Sequence, residues 1–242
     1  MNNFSYLKIS LSIICLVTLI AMIDTYNSEE DLLRKAAFEY IHKHKNVWKG
    51  TESISGPGST VQATTTLRCL FPAIIQGLDI HTLLDAGCGD LNWIKDIPLY
   101  VDSYSGVDIV SDVIEKNKAK YSADRLSFFC LDITKDQLPY ADLILCRDCL
   151  QHLSYKDIKA AINNFKTSRS TYLLTTNYFN LKENKQDIVN GNFHIINLMK
   201  EPFNFPDPII SFNELSAEHD MQTWRKGMCV WRLSDLPTYK IR

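Results

Sequence analysis

The sequence predicts an α/β fold, a doubly wound and mostly parallel sheet with helices on both faces. Three observations lead to it. Short apolar runs alternate with segments of helical pattern, several of these runs end in an acidic residue, and the first breaks into a Gly-x-Gly turn at Leu83-Leu84-Asp85-Ala86-Gly87-Cys88-Gly89-Asp90. Strands of a sheet covered on both faces read as continuous apolar runs, and alternation with helices points to parallel pairing.

The elements follow in order. Asp31 to Lys45 spaces Leu32, Leu33, Ala36, Ala37, Tyr40 and Ile41 along one helical face, expected to pack on the domain as a lid or flank. Trp48 to Thr60 mixes glycine, proline and hydroxyl residues, a loop that leads into a helix over Val61 to Gln76, capped by Ser59 or Thr60. His81 to Leu84 reads as a strand, and Leu91 to Ile97 as the helix after its turn. Further strands are expected at Ser103 to Val110, Leu126 to Leu131, Ala141 to Cys146 and Thr171 to Thr176, with a helix over Tyr155 to Phe165. Tyr178 to Asn192 is a long polar loop over the ligand edge. Phe193 to Leu198, Pro202 to Pro206 and Ile209 to Leu215 link the late strands, and Met228 to Leu233 is the last.

The Gly-x-Gly turn sits at the carboxyl end of a strand, where open α/β sheets bind ligands. Glycine there permits positive φ and close backbone approach. A dinucleotide fingerprint would place a third glycine at position 92, which is Asn92 here. The second strand ends in Asp108, 23 residues after Asp85, close to the spacing of about 20 at which an acid takes ribose hydroxyls. The third strand runs into Asp132-Ile133 and the fourth into Arg147-Asp148.

Together, Asp85-Ala86-Gly87-Cys88-Gly89, Asp108 and Asp132 resemble the class I S-adenosylmethionine-dependent methyltransferases over residues 55 to 235. More specifically, Ser55-Gly56-Pro57-Gly58-Ser59-Thr60, Cys88-Gly89-Asp90-Leu91-Asn92-Trp93, Gly106-Val107-Asp108-Ile109-Val110 and Arg147-Asp148-Cys149-Leu150-Gln151-His152-Leu153 resemble a little-characterised bacterial branch. The resemblance implies a Rossmann-like, seven-stranded sheet whose late strands are antiparallel, and S-adenosylmethionine as cofactor. It implies that Gly87 and Gly89 lie under the methionine part, that Asp108 with Ile109 holds the ribose, and that Asp132 with Ile133 borders the adenine. Gly58, Asp85, Cys88 and Arg147 complete the expected cofactor site, Gly56, Gly58 and Ser59 forming a lip over its methionine end.

Methyl transfer from a sulfonium is an in-line displacement, so a protein mainly aligns the acceptor and supplies a base where a proton must leave. Asp148 and His152, four residues apart near the fourth strand's tip, are the catalytic candidates, and His152 can take a proton near neutral pH. The bland alternative is that Asp148 caps the turn and His152 packs at the sheet edge. Asn177, Tyr178 and Asn192 are candidates for the acceptor pocket. Cys146-x-x-Cys149-x-x-His152 lacks four convincing zinc ligands, so no metal is predicted.

The 242 residues, 45% hydrophobic, suffice for one catalytic domain, and a formal charge of -2 gives no basic footprint, so no nucleic-acid partner is predicted. Ile9 to Ile23 is uncharged, preceded by Lys8 and followed by Ser28-Glu29-Glu30-Asp31. It is expected to be an uncleaved membrane anchor, the alternative being an extension upstream of a start at Met22. Lys8 ahead of the anchor votes for an external domain, but the seven scattered cysteines and a cytosolic methyl donor favour the cytosolic side. The expected organisation is an anchor or signal-like segment over 1–27, a helix and cofactor-covering loop over 28–60 and a methyltransferase domain over 61–242. The acceptor is expected to be a small or lipid-like molecule. A non-catalytic, membrane-tethered interaction module and a nicotinamide-dependent oxidoreductase are the alternatives, the latter disfavoured by Asn92.

Overall fold

The computed structural model describes residues 29–44, 48, 52–214 and 225–241. Seven strands form one sheet: β1 (Thr82–Ala86), β2 (Ser103–Asp108), β3 (Leu126–Cys130), β4 (Leu143–Cys146), β5 (Tyr172–Tyr178), β6 (Ile210–Asn213) and β7 (Lys226–Arg232). Their order is β3-β2-β1-β4-β5-β7-β6. The first five are parallel, and β7 runs antiparallel to both β5 and β6. After β1 the chain winds outward in one direction, and from β4 in the other. The carboxyl ends of β1 and β4 therefore border a crevice that no crossover fills.

Helices cover both faces. They are α1 (residues 29–43), α2 (Thr65–Gly77), α3 (Ser111–Tyr121) and α4 (Tyr155–Thr167). Consecutive strand residues go to opposite cores, as the strand period requires. Leu84, Ile144 and Leu173 pack with Ile158, Ile162 and Phe165 of α4. Leu83, Leu143, Leu145 and Leu174 pack with Leu67 and Phe71 of α2 and Ile114 of α3. Being buried on both sides, β4 has no polar residue, which is why its four positions read as an apolar run.

Three sequence expectations change. Leu91 to Ile97 is not a helix: Leu91 has φ +57°, and the chain makes a single turn closed by Ile94 and Lys95 amides on the Leu91 carbonyl before Pro98. On α1 the inward stripe is the buried Arg34 and Ile41 with the partly buried Phe38, at i, i+7 and i+4, whereas Leu32, Leu33 and Tyr40 are exposed. The apolar face drawn from hydropathy is displaced because a buried arginine anchors the helix. The expected membrane anchor and membrane-associated location are also corrected. No helix among the described residues is long and apolar enough to cross a membrane. The run behind that expectation, Ile9 to Ile23, lies outside the described residues.

The antiparallel edge depends on Gly227, where a Cβ would fall 2.2 Å from the Phe212 carbonyl oxygen of β6 and 2.5 Å from the Phe179 ring. Gly227→Ala should lower the free energy of unfolding by about 1–3 kcal/mol, measured by urea denaturation.

Candidate functional site

A cavity of about 890 Å³, counting its open mouth, fills the crevice between β1 and β4. Its floor is the turn after β1. Gly87 (φ +84°) and Gly89 (φ +55°) occupy the left-handed region, and the Gly87 and Cys88 amides both donate to the Val107 carbonyl, at 2.9 and 3.0 Å. A Cβ on Gly87 would lie 2.8 Å from the Cys149 sulfur, and one on Gly89 2.2 Å from Ser55 Oγ. Both conformation and space therefore demand glycine.

Asp108 closes this turn from β2. One carboxylate oxygen accepts from the Gly89 amide at 3.1 Å and the other from the Val110 amide at 3.0 Å. Each keeps a lone pair toward the cavity. Withdrawal from bulk water pushes its pKa upward, and the Val110 and Gly89 amides partly offset this. Farther along the wall stand Ile109, Asp132 and Ile133. Asp132 accepts from the Arg34 Nε at 2.9 Å and from the Thr134 amide and hydroxyl at 2.9 and 2.7 Å. Arg34, Phe38 and His42 of α1 cover this end.

The opposite end is charged. Asp148, with φ +49°, accepts from Gln151 Nε2 at 2.8 Å and Thr176 Oγ1 at 3.0 Å, and pairs with Arg147 at 3.0 Å and with Lys226. Glu214 completes the cluster, 2.9 Å from Arg147 and 3.1 Å from Lys226. Burial alone would raise the Asp148 pKa, but the Arg147 guanidinium, Lys226 and Gln151 override it and hold the carboxyl far below the usual range. Asp148 is thus held ionised by its partners, and it lines the same cavity as His152. Arg147 lines the cavity, and its buried Nη2 has no hydrogen-bond partner among the described residues.

His152 lies at the same end. Its Nδ1 is 2.8 Å from the Asn192 carbonyl, which can only accept, so Nδ1 carries the proton and Nε2 of the neutral ring keeps its lone pair. Burial lowers its pKa, only partly countered by the Asn192 carbonyl and Asp148. The Trp48 and Phe193 rings flank it at 4.8 and 5.6 Å between centroids.

Nine of the twelve expected site residues line the cavity: Gly87, Gly89, Asp108, Ile109, Asp132, Ile133, Arg147, Asp148 and His152. Gly58, Asp85 and Cys88 do not. Gly58 packs behind Asp148, where a Cβ would come within 3.0 Å of Oδ2. Cys88 is buried with its sulfur toward Gly106 and Asn117. Asp85 lies beneath the turn, accepting a hydrogen bond from the Tyr104 hydroxyl at 2.6 Å. Asn177 and Tyr178 are buried in β5, away from the wall, and Asn177 Oδ1 accepts from the Leu198 amide. Sequence reasoning missed Arg34, Phe38 and His42, which hydropathy assigned no site role. It also missed Asp90, whose carboxylate takes the Ser53 hydroxyl and the Ile54 amide at 2.8 and 2.9 Å and pins that loop over Gly89. The acid next to Gly89 and the serines upstream were its only signal.

Burial raises the Asp85 pKa to about 7, with Tyr104 lowering it and Asp108 raising it further. The folded protein therefore holds a proton there that the unfolded chain releases near 3.8, and stability falls as pH rises through this window. Asp85→Asn removes that loss. Relative to wild type, its stability should grow between pH 4 and 7 by on the order of 4 kcal/mol, read from urea unfolding at several pH values.

Residues 84–168 match a family model described as a methyltransferase domain. The chain is similar in structure to the N-methyltransferase NodS from Bradyrhizobium japonicum WM9 in complex with S-adenosyl-L-homocysteine. The TM-score is 0.57 at 12% identity, covering 79% of this chain and 97% of that one. It is also similar to the methyltransferase domain of bacterial CtHen1, at TM-score 0.50 and 15% identity over 70% of this chain and 98% of that one. No curated protein matches it. Residues 84–168 thus match a methyltransferase domain, and the chain shares the fold of these two methyltransferase structures.

Proposed function

We propose that the protein transfers a methyl group from S-adenosylmethionine to a small-molecule acceptor, with His152 as the base. The observation that carries this reading is one continuous cavity with the Gly87, Gly89 and Asp108 cradle in its floor and the free Nε2 of a neutral histidine at its other end. The unpaired Arg147 Nη2 suits an oxygen-bearing ligand in this cavity. Both solved relatives with the matching sheet are methyltransferases, and one holds S-adenosyl-L-homocysteine.

In this reading Asp108 takes the ribose hydroxyls, Ile109 and Ile133 flank the adenine beside Asp132, and Arg147 takes a carboxylate or hydroxyl oxygen. The bound cofactor supplies an electrophilic methyl on a sulfonium. His152 Nε2 accepts the proton that the acceptor atom loses, and the Asn192 carbonyl stabilises the imidazolium through Nδ1–H. Asp148 stays ionised and holds Arg147, while the Trp48 and Phe193 rings pack beside the base. The acceptor is an organic molecule small enough to enter the cavity.

Calorimetric titration with S-adenosylhomocysteine tests the cofactor site. Asp108→Ala should weaken binding about 10- to 100-fold, the loss of hydrogen bonds to a charged group, and unchanged affinity would refute the assignment. Turnover measured with methyl-labelled S-adenosylmethionine across an acceptor panel tests the base. On any acceptor found, His152→Ala should lower kcat by about 10²–10⁴-fold while leaving S-adenosylhomocysteine affinity within a few-fold.

A further inference from the structure

The cofactor end of the cavity and His152 are joined through side chains that the reaction itself does not use. Arg34 of α1, 4% exposed, contacts Asp132 at the cavity wall and, through Nη1, Asp157 of α4 at 2.9 Å. The Asp157 carboxylate also accepts from Asn190 Nδ2 at 2.6 Å, and Asn190 Oδ1 accepts from the Ser154 amide at 2.8 Å. The next two residues close on His152 from the backbone: the Gly191 amide donates to the His152 carbonyl at 2.8 Å, and the Asn192 carbonyl accepts from its ring. Gly191 has φ +90° and lies under α1, where a Cβ would come 2.9 Å from Ile41 Cδ1 and 3.4 Å from Ala37 Cβ. The strap over residues 186–194 is thus clamped between α1 and the histidine. Further bonds hold it, from the Tyr155 amide to Asp187 and from the Tyr155 hydroxyl to the Gln186 carbonyl.

These contacts share one consequence. If α1 leaves its seat over Asp132, Arg34 leaves Asp157 and Ile41 leaves Gly191, and the strap loses what fixes the Asn192 carbonyl against His152. We propose that Arg34, Asp157 and Asn190 are positioning residues, which make the docking of α1 over the adenosine end of the cavity set the tautomer and orientation of the His152 base. This rests on the reading of His152 as base and of the cavity as the cofactor site. It would leave the base in its working state only while the cofactor is enclosed, a form of order-dependent gating. The other charged groups facing the ring are Asp148, Lys226 of β7 and His194 of the same strap. No hydrogen bond or ion pair joins any of them to Asn190 among the described residues, so a change at Asn190 reaches the ring through the strap and through the Ser154 amide.

The test uses the full chain and the His152 imidazole signals, assigned by comparison with His152→Gln, with long-range nitrogen couplings that distinguish the two tautomers. In wild type with S-adenosylhomocysteine the Nδ1–H form should predominate, and the titration midpoint should lie below the ordinary histidine value. In Asn190→Ala the tautomers should mix and the midpoint should move toward about 6.5, while S-adenosylhomocysteine affinity stays within about threefold. Asp157→Asn should act in the same direction. Circular dichroism confirms that the variants are folded, and Asn190→Gln, which can still bridge Asp157 and Ser154, should recover part of the wild-type signal if Asn190→Ala loosens the strap too far. An unchanged tautomer and midpoint in both Asn190→Ala and Asp157→Asn, with S-adenosylhomocysteine still binding, would overturn the relay. Failure of the wild type to bind S-adenosylhomocysteine would instead overturn the cofactor reading on which it stands.

Discussion

Between β1 and β4 the winding of the sheet reverses, and the rest of the site depends on how the chain leaves β1 at that point. The Val107 carbonyl on the neighbouring strand takes both the Gly87 and Cys88 amides, which turns the backbone upward and aims the Gly89 amide at Asp108. Neither glycine has room for a side chain, because Cys149 from the β4 side and Ser55 from the upstream loop occupy the space where one would stand. Three separate segments therefore meet on one turn. Close packing at such a point transmits displacement, and Asp90 and Asp108 are the hydrogen-bonding groups that keep the segments in register.

Electrostatics divides the two carboxyls nearest this turn into opposite roles. Asp85 has only a tyrosine hydroxyl for a partner, so burial dominates and the group keeps its proton to about pH 7. Asp148 is also withdrawn from water but faces two cations and two neutral donors, so it remains ionised. A buried ion cluster of this kind contributes uncertainly to net stability, since desolvation offsets much of the attraction. What it does at this position is geometric: it fixes the Arg147 guanidinium at the cavity wall, with Trp93 5.6 Å from its carbon.

The same division explains why the histidine is suited to act as a base and the neighbouring aspartate is not. His152 has a single carbonyl partner on Nδ1 and aromatic rings at its flanks, an environment that favours the neutral ring. Residues 29–43 and 186–194 shape that environment from outside the sheet, and the hydrogen bonds around Asp157 join the two. Catalytic groups on connecting segments, oriented by a rigid scaffold, are the usual arrangement in α/β proteins.

Much of the scaffold was legible in the sequence, because apolar runs, a Gly-x-Gly turn and acids at strand ends are local consequences of burial on both faces and of close backbone approach. That information placed β1 to β5 and β7 within a few residues, and it brought Gly87, Gly89, Asp108, Asp132 and His152 to one edge. What it could not decide was which partners the tertiary structure gives each polar group. Asp85 and Asp148 look alike as acids after apolar runs, yet one is left with a phenol and the other with Arg147 and Lys226, the latter 78 residues away along the chain. The face of α1 was misplaced for the same reason, since Arg34 is buried only because Asp132 and Asp157 wait for it across 98 and 123 residues. Periodicity and turn chemistry are set within a few residues, and so the sequence by itself determined the sheet and the cradle. Charge pairing is set by long-range proximity, and so only the folded chain decided which group is an anchor and which can move a proton.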